Sequence, residues 1–254
     1  MGEKELIQQL ITFMDCPCQT FPSMEDDDEI HKAYQKALEQ GKKEGFVPVL
    51  LGAEDMLLED LVFNCGADDP KDIGQIRAVR KKRLEDSAKE GFAAESIHAI
   101  QEQVEKFKSD PDALKEALDP SAKGELVDGF TSYWNTTTLS TYPVILAEIP
   151  VKEPWQIFAW VCIGGWNEFP DTDTLMALSK KWFIEYGAVP AAAVHDVLEF
   201  YLDRPVSDRE SAANLAIEHY IVCCDRVEQA GENETIGTLA DSLTKSNFWF
   251  FWWD

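Results

Sequence analysis

The chain ends on Asn247-Phe-Trp-Phe-Phe-Trp-Trp-Asp254, an unbroken run of six aromatic rings. Side chains alternate along a strand, so Trp249, Phe251 and Trp253 would share one face and Phe248, Phe250 and Trp252 the other. Rings on both faces aggregate if left in water. The run therefore predicts a central strand covered on both sides, or the face of a partner interface. All eight tryptophans follow residue 133, so the aromatic material for one large core sits in the second half. At 254 residues and 45% apolar composition, the chain has ample material for a globular core.

Composition divides the chain near residue 140. Residues 1–140 read as a mostly helical region with one short strand, and residues 141–254 as an α/β domain. Leu6, Leu10, Ile11 and Met14 share a face of an opening helix. The acidic run Glu25–Asp28 starts a second helix, where the macrodipole favours negative charge, and Gly45 ends it. Phe46–Leu51 is a short apolar strand, followed by helices over 54–63, 72–89, 94–107 and 112–118. The basic run Arg77, Arg80, Lys81, Lys82, Arg83 reads as a solvated helix face. Gly129–Tyr142, rich in Ser and Thr, connects the two parts.

In the second part Pro143–Ile149 and Trp155–Ile163 are apolar on both alternating sets, as strands covered on both faces would be. Asp171 caps a helix through Tyr186, strands follow over 189–194 and 197–202, and Ser207-Asp208-Arg209-Glu210 forms a capping box. Thr235–Thr244 is a further helix. The expected fold class is α/β, or α+β, with a mixed, partly parallel sheet and helices on both faces.

One place gathers chemistry. Strand 155–163, the turn Gly164-Gly165-Trp166-Asn167, the helix capped at Asp171 and strand 189–194 would make a right-handed crossover. Ligands collect at the carboxyl ends of parallel strands, where His195 and Asp196 would then stand as candidate acid–base residues. Gly164, Gly165, Trp166, Asn167, Asp171 and Glu199 would line a ligand site beside them. The same residues also suit plain structural duties: a turn, a cover, a cap, a strand-end hydrogen bond. Other chemistries lack parts, since no nucleophile elbow, P-loop or dinucleotide fingerprint occurs. His31, His98 and His219 lie on helical patterns. Cys162 sits in an apolar strand that would raise its pKa and make it inert. Cys16-Pro17-Cys18 has no second pair to complete a metal site, so neither metal nor cofactor is expected.

The formal charge of −24 repels phosphates and anionic lipid, which argues against nucleic acid and membrane surfaces and suits a basic protein partner. No stretch approaches the roughly 18 apolar residues of a membrane span. With no signal-like leader, and with six scattered cysteines read as reduced, the expected compartment is the cytoplasm.

The stretch from Tyr142 to Leu202, with its G-G-W-N turn and H-D before L-E-F, and the ending "TIGTLADSLTKSNFWFFWWD" resemble the bacterial family catalogued as domain of unknown function 4253. "GFVPVLLGAEDMLLEDL" is similar to the first half of its longer members. Phe169 departs from the family pattern, which has Cys before Pro. The resemblance implies a fold and brings no activity. Two functions of different class follow from the residues. The first is a non-catalytic protein-binding module, of an immunity or regulatory kind, with its acidic, aromatic-bearing patch away from His195. The second is a small-molecule-binding domain or enzyme with a closed pocket around His195 and Asn167.

Overall fold

The computed structural model describes residues 2–254. In chain order the elements are α1 (Glu3–Met14), β1 (Cys18–Phe21), α2 (Asp28–Glu44), β2 (Val47–Gly52), α3 (Asp55–Asn64), α4 (Ile73–Ser87), α5 (Ala94–Lys108) and α6 (Pro111–Ala117). There follow β3 (Trp134–Asn135), β4 (Ser140–Thr141), β5 (Val144–Ile149), a 3-10 helix (Pro154–Ala159), α7 (Thr172–Tyr186), β6 (Val189–Ala193) and β7 (Val197–Tyr201). The chain closes with α8 (Arg209–Val222), α9 (Asp225–Glu228), α10 (Ile236–Leu243) and β8 (Phe248–Trp252). No helix among the described residues is long and apolar enough to cross a membrane.

The α/β class with a mixed sheet holds. Six strands run in the order β1-β5-β2-β6-β7-β8. Only β2 and β6 are parallel; the other neighbours are antiparallel. Alternation sends Val49, Leu51, Ile145, Ala147 and Ile149 into one core and Leu50, Val144 and Leu146 into another on the opposite face. The first core is covered by α1, α3, α7 and α8, and the second by α2 with Phe130 and Tyr133. The boundary near residue 140 does not divide this sheet, because β1 and β2 come from before it and β5 to β8 from after it. β2 lies between β5 and β6 and supplies the only strand that joins them.

Four expectations are corrected. First, residues 155–163 are not a strand. Pro154 opens the 3-10 helix at its first position, Glu153 and Gln156 close a capping box around it, and 160–163 continue as buried irregular chain. A short apolar run fits any buried segment, so periodicity alone cannot assign it. The crossover drawn from 155 to 194 falls with that strand, and the parallel neighbour of β6 is β2. Second, β8 is an edge strand, paired only with β7. Its faces are covered by helices and rings instead: Trp249 and Phe251 pack under Trp182 and His219, and Phe248 meets Phe130 edge-on at 4.9 Å.

Third, α8 is capped by Asp208, whose side chain accepts from Ser211 N at 2.8 Å, rather than by Ser207. Fourth, the basic run on α4 is not all solvated. Arg80 is 2% exposed. Its guanidinium lies between the rings of Phe13 (5.1 Å) and Trp160 (4.9 Å) and donates to the carbonyls of Met14 (3.1 Å) and Phe13 (2.6 Å). Those carbonyls end α1 without intrahelical partners, and a cation there also meets the negative end of the helix dipole. A buried charge is tolerable because both rings and both carbonyls face it.

Candidate functional site

His195 follows β6 and lies beside α3. Its Nδ1 is 2.7 Å from Asp60 Oδ2, both side chains being about four-fifths buried. Burial pushes the Asp60 carboxyl above the ordinary aspartate range, and the hydrogen bond to His195 opposes that shift. The Trp166 ring lies flat on the imidazole, centroids 4.8 Å apart and planes within 8°. Trp166 meets Phe169 edge-on, and Phe169 stacks on Trp253 at 3.7 Å. Phe169 thus joins the aromatic column that runs into the core.

The other residues expected here are also engaged within the fold. Asn167 donates to the backbone carbonyl of Asp254 at 2.9 Å, and Asp196 accepts from Trp252 Nε1 at 3.1 Å. Asp171 caps α7, accepting from Thr174 N at 2.8 Å. Gly164 and Gly165 take φ of +85° and +84°. A Cβ at Gly164 would stand 2.0 Å from the Pro170 carbonyl oxygen, so that glycine is set by backbone packing. Glu199 does not join the group. It is fully buried on β7 and accepts from Thr131 N (2.8 Å), Thr131 Oγ1 (3.0 Å) and Ser132 N (3.1 Å). The structure therefore brings His195 and Trp166 together, adds Asp60, and assigns Asn167, Asp171, Asp196 and Glu199 to other bonds.

The His195–Asp60 pair has the makings of a general base, since a carboxylate on one ring nitrogen orients the other. Among the described residues no serine, threonine or cysteine side chain is hydrogen-bonded to His195. No group of three or more histidine, cysteine or carboxylate side chains among them is placed to hold a metal ion. Asp60 carried no signal in the sequence, being one more acid in an amphipathic helix 135 positions from its partner.

A different place combines open volume with a strong charge. A cleft of about 730 Å³ opens between the start of α2, residues 125–134 and the segment after α9. Asp27, Asp28, Glu125, Asp128 and Glu234 line it, against a single guanidinium, Arg226, and the imidazole of His31. Its aromatic wall is Phe130 and Trp134, and Leu126, 56% exposed, sits at the mouth. Asp27 holds the wall in place: its Oδ2 accepts from Tyr133 Oη (3.0 Å) and Trp134 Nε1 (3.3 Å) and lies 3.1 Å from His31 Nε2. The far side is held by Glu199 through Thr131 and Ser132. Sequence reasoning missed this cleft, because its walls come from three segments that are individually unremarkable acidic stretches.

The thiol of Cys162 corrects one further expectation. Burial raises its pKa, but the hydrogen bond shared with Cys65 across 3.2 Å and Arg83 Nη1 at 2.9 Å outweigh burial, and the net direction is down.

Residues 145–254 match the family described as Domain of unknown function (DUF4253). No curated protein and no solved structure gives a significant match to the chain. The matched residues contain β6, β7, β8 and nearly all of β5, while β2, which joins β5 to β6, lies outside them.

Proposed function

We propose that this protein is a non-catalytic binding module that takes a basic segment of a partner protein into the acidic cleft, in the manner of an immunity or regulatory protein. The observation that carries this reading is the cleft itself: five carboxylates against one guanidinium, with Trp134 and Phe130 as an aromatic wall. Carboxylates beside an aromatic face suit a guanidinium or ammonium group, which gains charge-assisted hydrogen bonds and a cation–π contact at once. The −24 charge of the chain would speed the encounter with such a partner. The internal engagement of Asn167, Asp171, Asp196 and Glu199 supports the same reading, since it leaves few polar groups to converge on a substrate near His195.

The test is a calorimetric titration of the full chain with an arginine- and lysine-rich peptide, at low and at moderate salt. Beside it runs a variant carrying Glu125→Lys, Asp128→Lys and Glu234→Lys, which spares Asp27 and so keeps the wall. Binding that weakens with salt and vanishes in the variant is the expected result. Equal binding by the variant, or none by the wild type, overturns the proposal.

A second reading keeps one specific observation, the His195–Asp60 pair under Trp166. It places a small-molecule or proton-transfer site there, and a metabolite thermal-shift screen with a response abolished by His195→Ala would establish it.

A further inference from the structure

Three of the six cysteines, Cys16, Cys65 and Cys162, lie near the buried guanidinium of Arg80, and one pair among them is placed for chemistry. Cys65 caps the end of α3, and Cys162 lies in the irregular chain after the 3-10 helix, 97 positions away. Both are buried, and their sulfurs are 3.2 Å apart. A disulfide needs about 2.05 Å, so bond formation asks for a side-chain movement of roughly one ångström and no rearrangement of the fold. Asn64, adjacent to Cys65, donates to the carbonyls of Cys162 and Gly164, both at 3.1 Å, and so locks the two segments in register.

The pair is also chemically unequal. Arg83 donates to Cys162 Sγ at 2.9 Å and to Asp173 Oδ1 at 2.8 Å, while among the described residues no guanidinium is hydrogen-bonded to Cys65, which Arg80 and Arg83 influence only through space. The hydrogen bond the sulfurs share and the Arg83 guanidinium favour the thiolate at Cys162, and the same bond disfavours it at Cys65, while burial opposes ionisation of both. A cleft of about 560 Å³ is lined by Asn64, Arg83 and Asp171; neither sulfur lines it, so an oxidant has to pass the Arg83 side chain to reach Cys162.

The geometry points to Cys65–Cys162 as a reversible thiol–disulfide site, with Cys162 the attacking sulfur, Cys65 the resolving one and a hydroperoxide the oxidant. In the first step the Cys162 thiolate attacks hydrogen peroxide, the O–O bond breaks, and Cys162 sulfenic acid and hydroxide form. In the second, Cys65 sulfur attacks the sulfenic sulfur and water leaves. The sum is two thiols and one peroxide giving one disulfide and two waters; the thiols lose two electrons and the peroxide gains them. The bond would staple α3 to the segment that precedes the Gly164-Gly165 turn, and Arg83 would keep Asp173 as its one anionic partner.

The experiment treats the intact folded chain with equimolar hydrogen peroxide at neutral pH, quenches in acid and alkylates all remaining thiols under denaturing conditions. Non-reducing tryptic digestion then separates peptides 44–71 and 153–180, each of which holds one cysteine, Cys65 and Cys162. The expected product is these two peptides joined, lighter by two hydrogens than their sum and parted by reductant. Arg83→Met should move the pH midpoint of the reaction rate up toward the ordinary thiol value of about 8.5. Peptides recovered separately with both cysteines alkylated, or Cys162 joined to any of Cys16, Cys18, Cys223 and Cys224, would overturn the assignment. An unmoved pH midpoint in Arg83→Met would overturn the part given to Arg83.

Discussion

Glu199→Ala is the perturbation on which the structure makes its firmest claim. The carboxylate is fully buried and is the only acceptor shown for Thr131 N and Ser132 N, the backbone that carries Phe130 and Trp134 into the acidic cleft. Truncation leaves the N–H of buried Ser132 unsatisfied, at about 1–3 kcal/mol, and removes the acceptor of the half-buried Thr131 N–H bond, at about 1 kcal/mol. Against this stands relief of a buried charge, whose cost shows in a carboxyl pushed above its ordinary value of 4.5 by burial. The net expectation is a destabilisation of about 2–4 kcal/mol at neutral pH. Glu199→Gln keeps one acceptor oxygen for Thr131 but turns an amide toward Ser132 N, and should cost about 1–2 kcal/mol. The sign of the pH effect follows from the raised pKa. Wild type has the full contribution of Glu199 below the unfolded value and loses it as pH rises through the folded value, so its margin over Glu199→Gln should narrow from acid toward neutral pH. Urea unfolding followed by tryptophan fluorescence measures all three proteins. A loss below about 1 kcal/mol for Glu199→Ala, or a margin over Gln that widens with pH, would refute the reasoning.

Three further outcomes are expected. His219 is held neutral among Trp182, Trp249 and Phe251 with its pKa lowered to about 3. Its stabilising effect is present above the unfolded value and is lost as pH falls, by about 2 kcal/mol at pH 5; urea midpoints at pH 7 and pH 5 should therefore converge in His219→Phe relative to wild type. Gly164→Ala meets the Pro170 carbonyl and should cost more than about 2 kcal/mol, whereas Gly165→Ala, with no atom nearer than 3.9 Å, should cost about 1 kcal/mol from its positive φ; thermal denaturation that ranks the two the other way would show that the turn is not set by packing. Residues 141–254 expressed alone lack β2 and should show no cooperative unfolding transition, with a folded species restored by co-expression of residues 1–140; a monomeric, cooperatively folding fragment would contradict the shared sheet.

Local patterns foretold most elements. The Asp171 cap, the Gly45 terminus, the strand at 47–52 and the alternation in the aromatic ending all rest on interactions within a few residues, and these are what a sequence displays. The segment 155–163 misled because a fully buried stretch has no polar face to report its period. Arg80 misled because a cation in a basic run carries no mark of the two rings and two carbonyls that enclose it from α1 and the 3-10 helix. The site followed the same rule. His195 and Trp166 were visible as residue types at a strand end and a turn, but Asp60, Cys65 facing Cys162, and the five carboxylates of the cleft became partners only through distant chain segments. The sequence by itself determined the α/β class, the strong net negative charge, and the two-faced aromatic strand. Tertiary structure alone decided that β2 closes the gap between β5 and β6, which charges meet and which thiols face each other, because pairing energies depend on distances across the fold that no local pattern encodes.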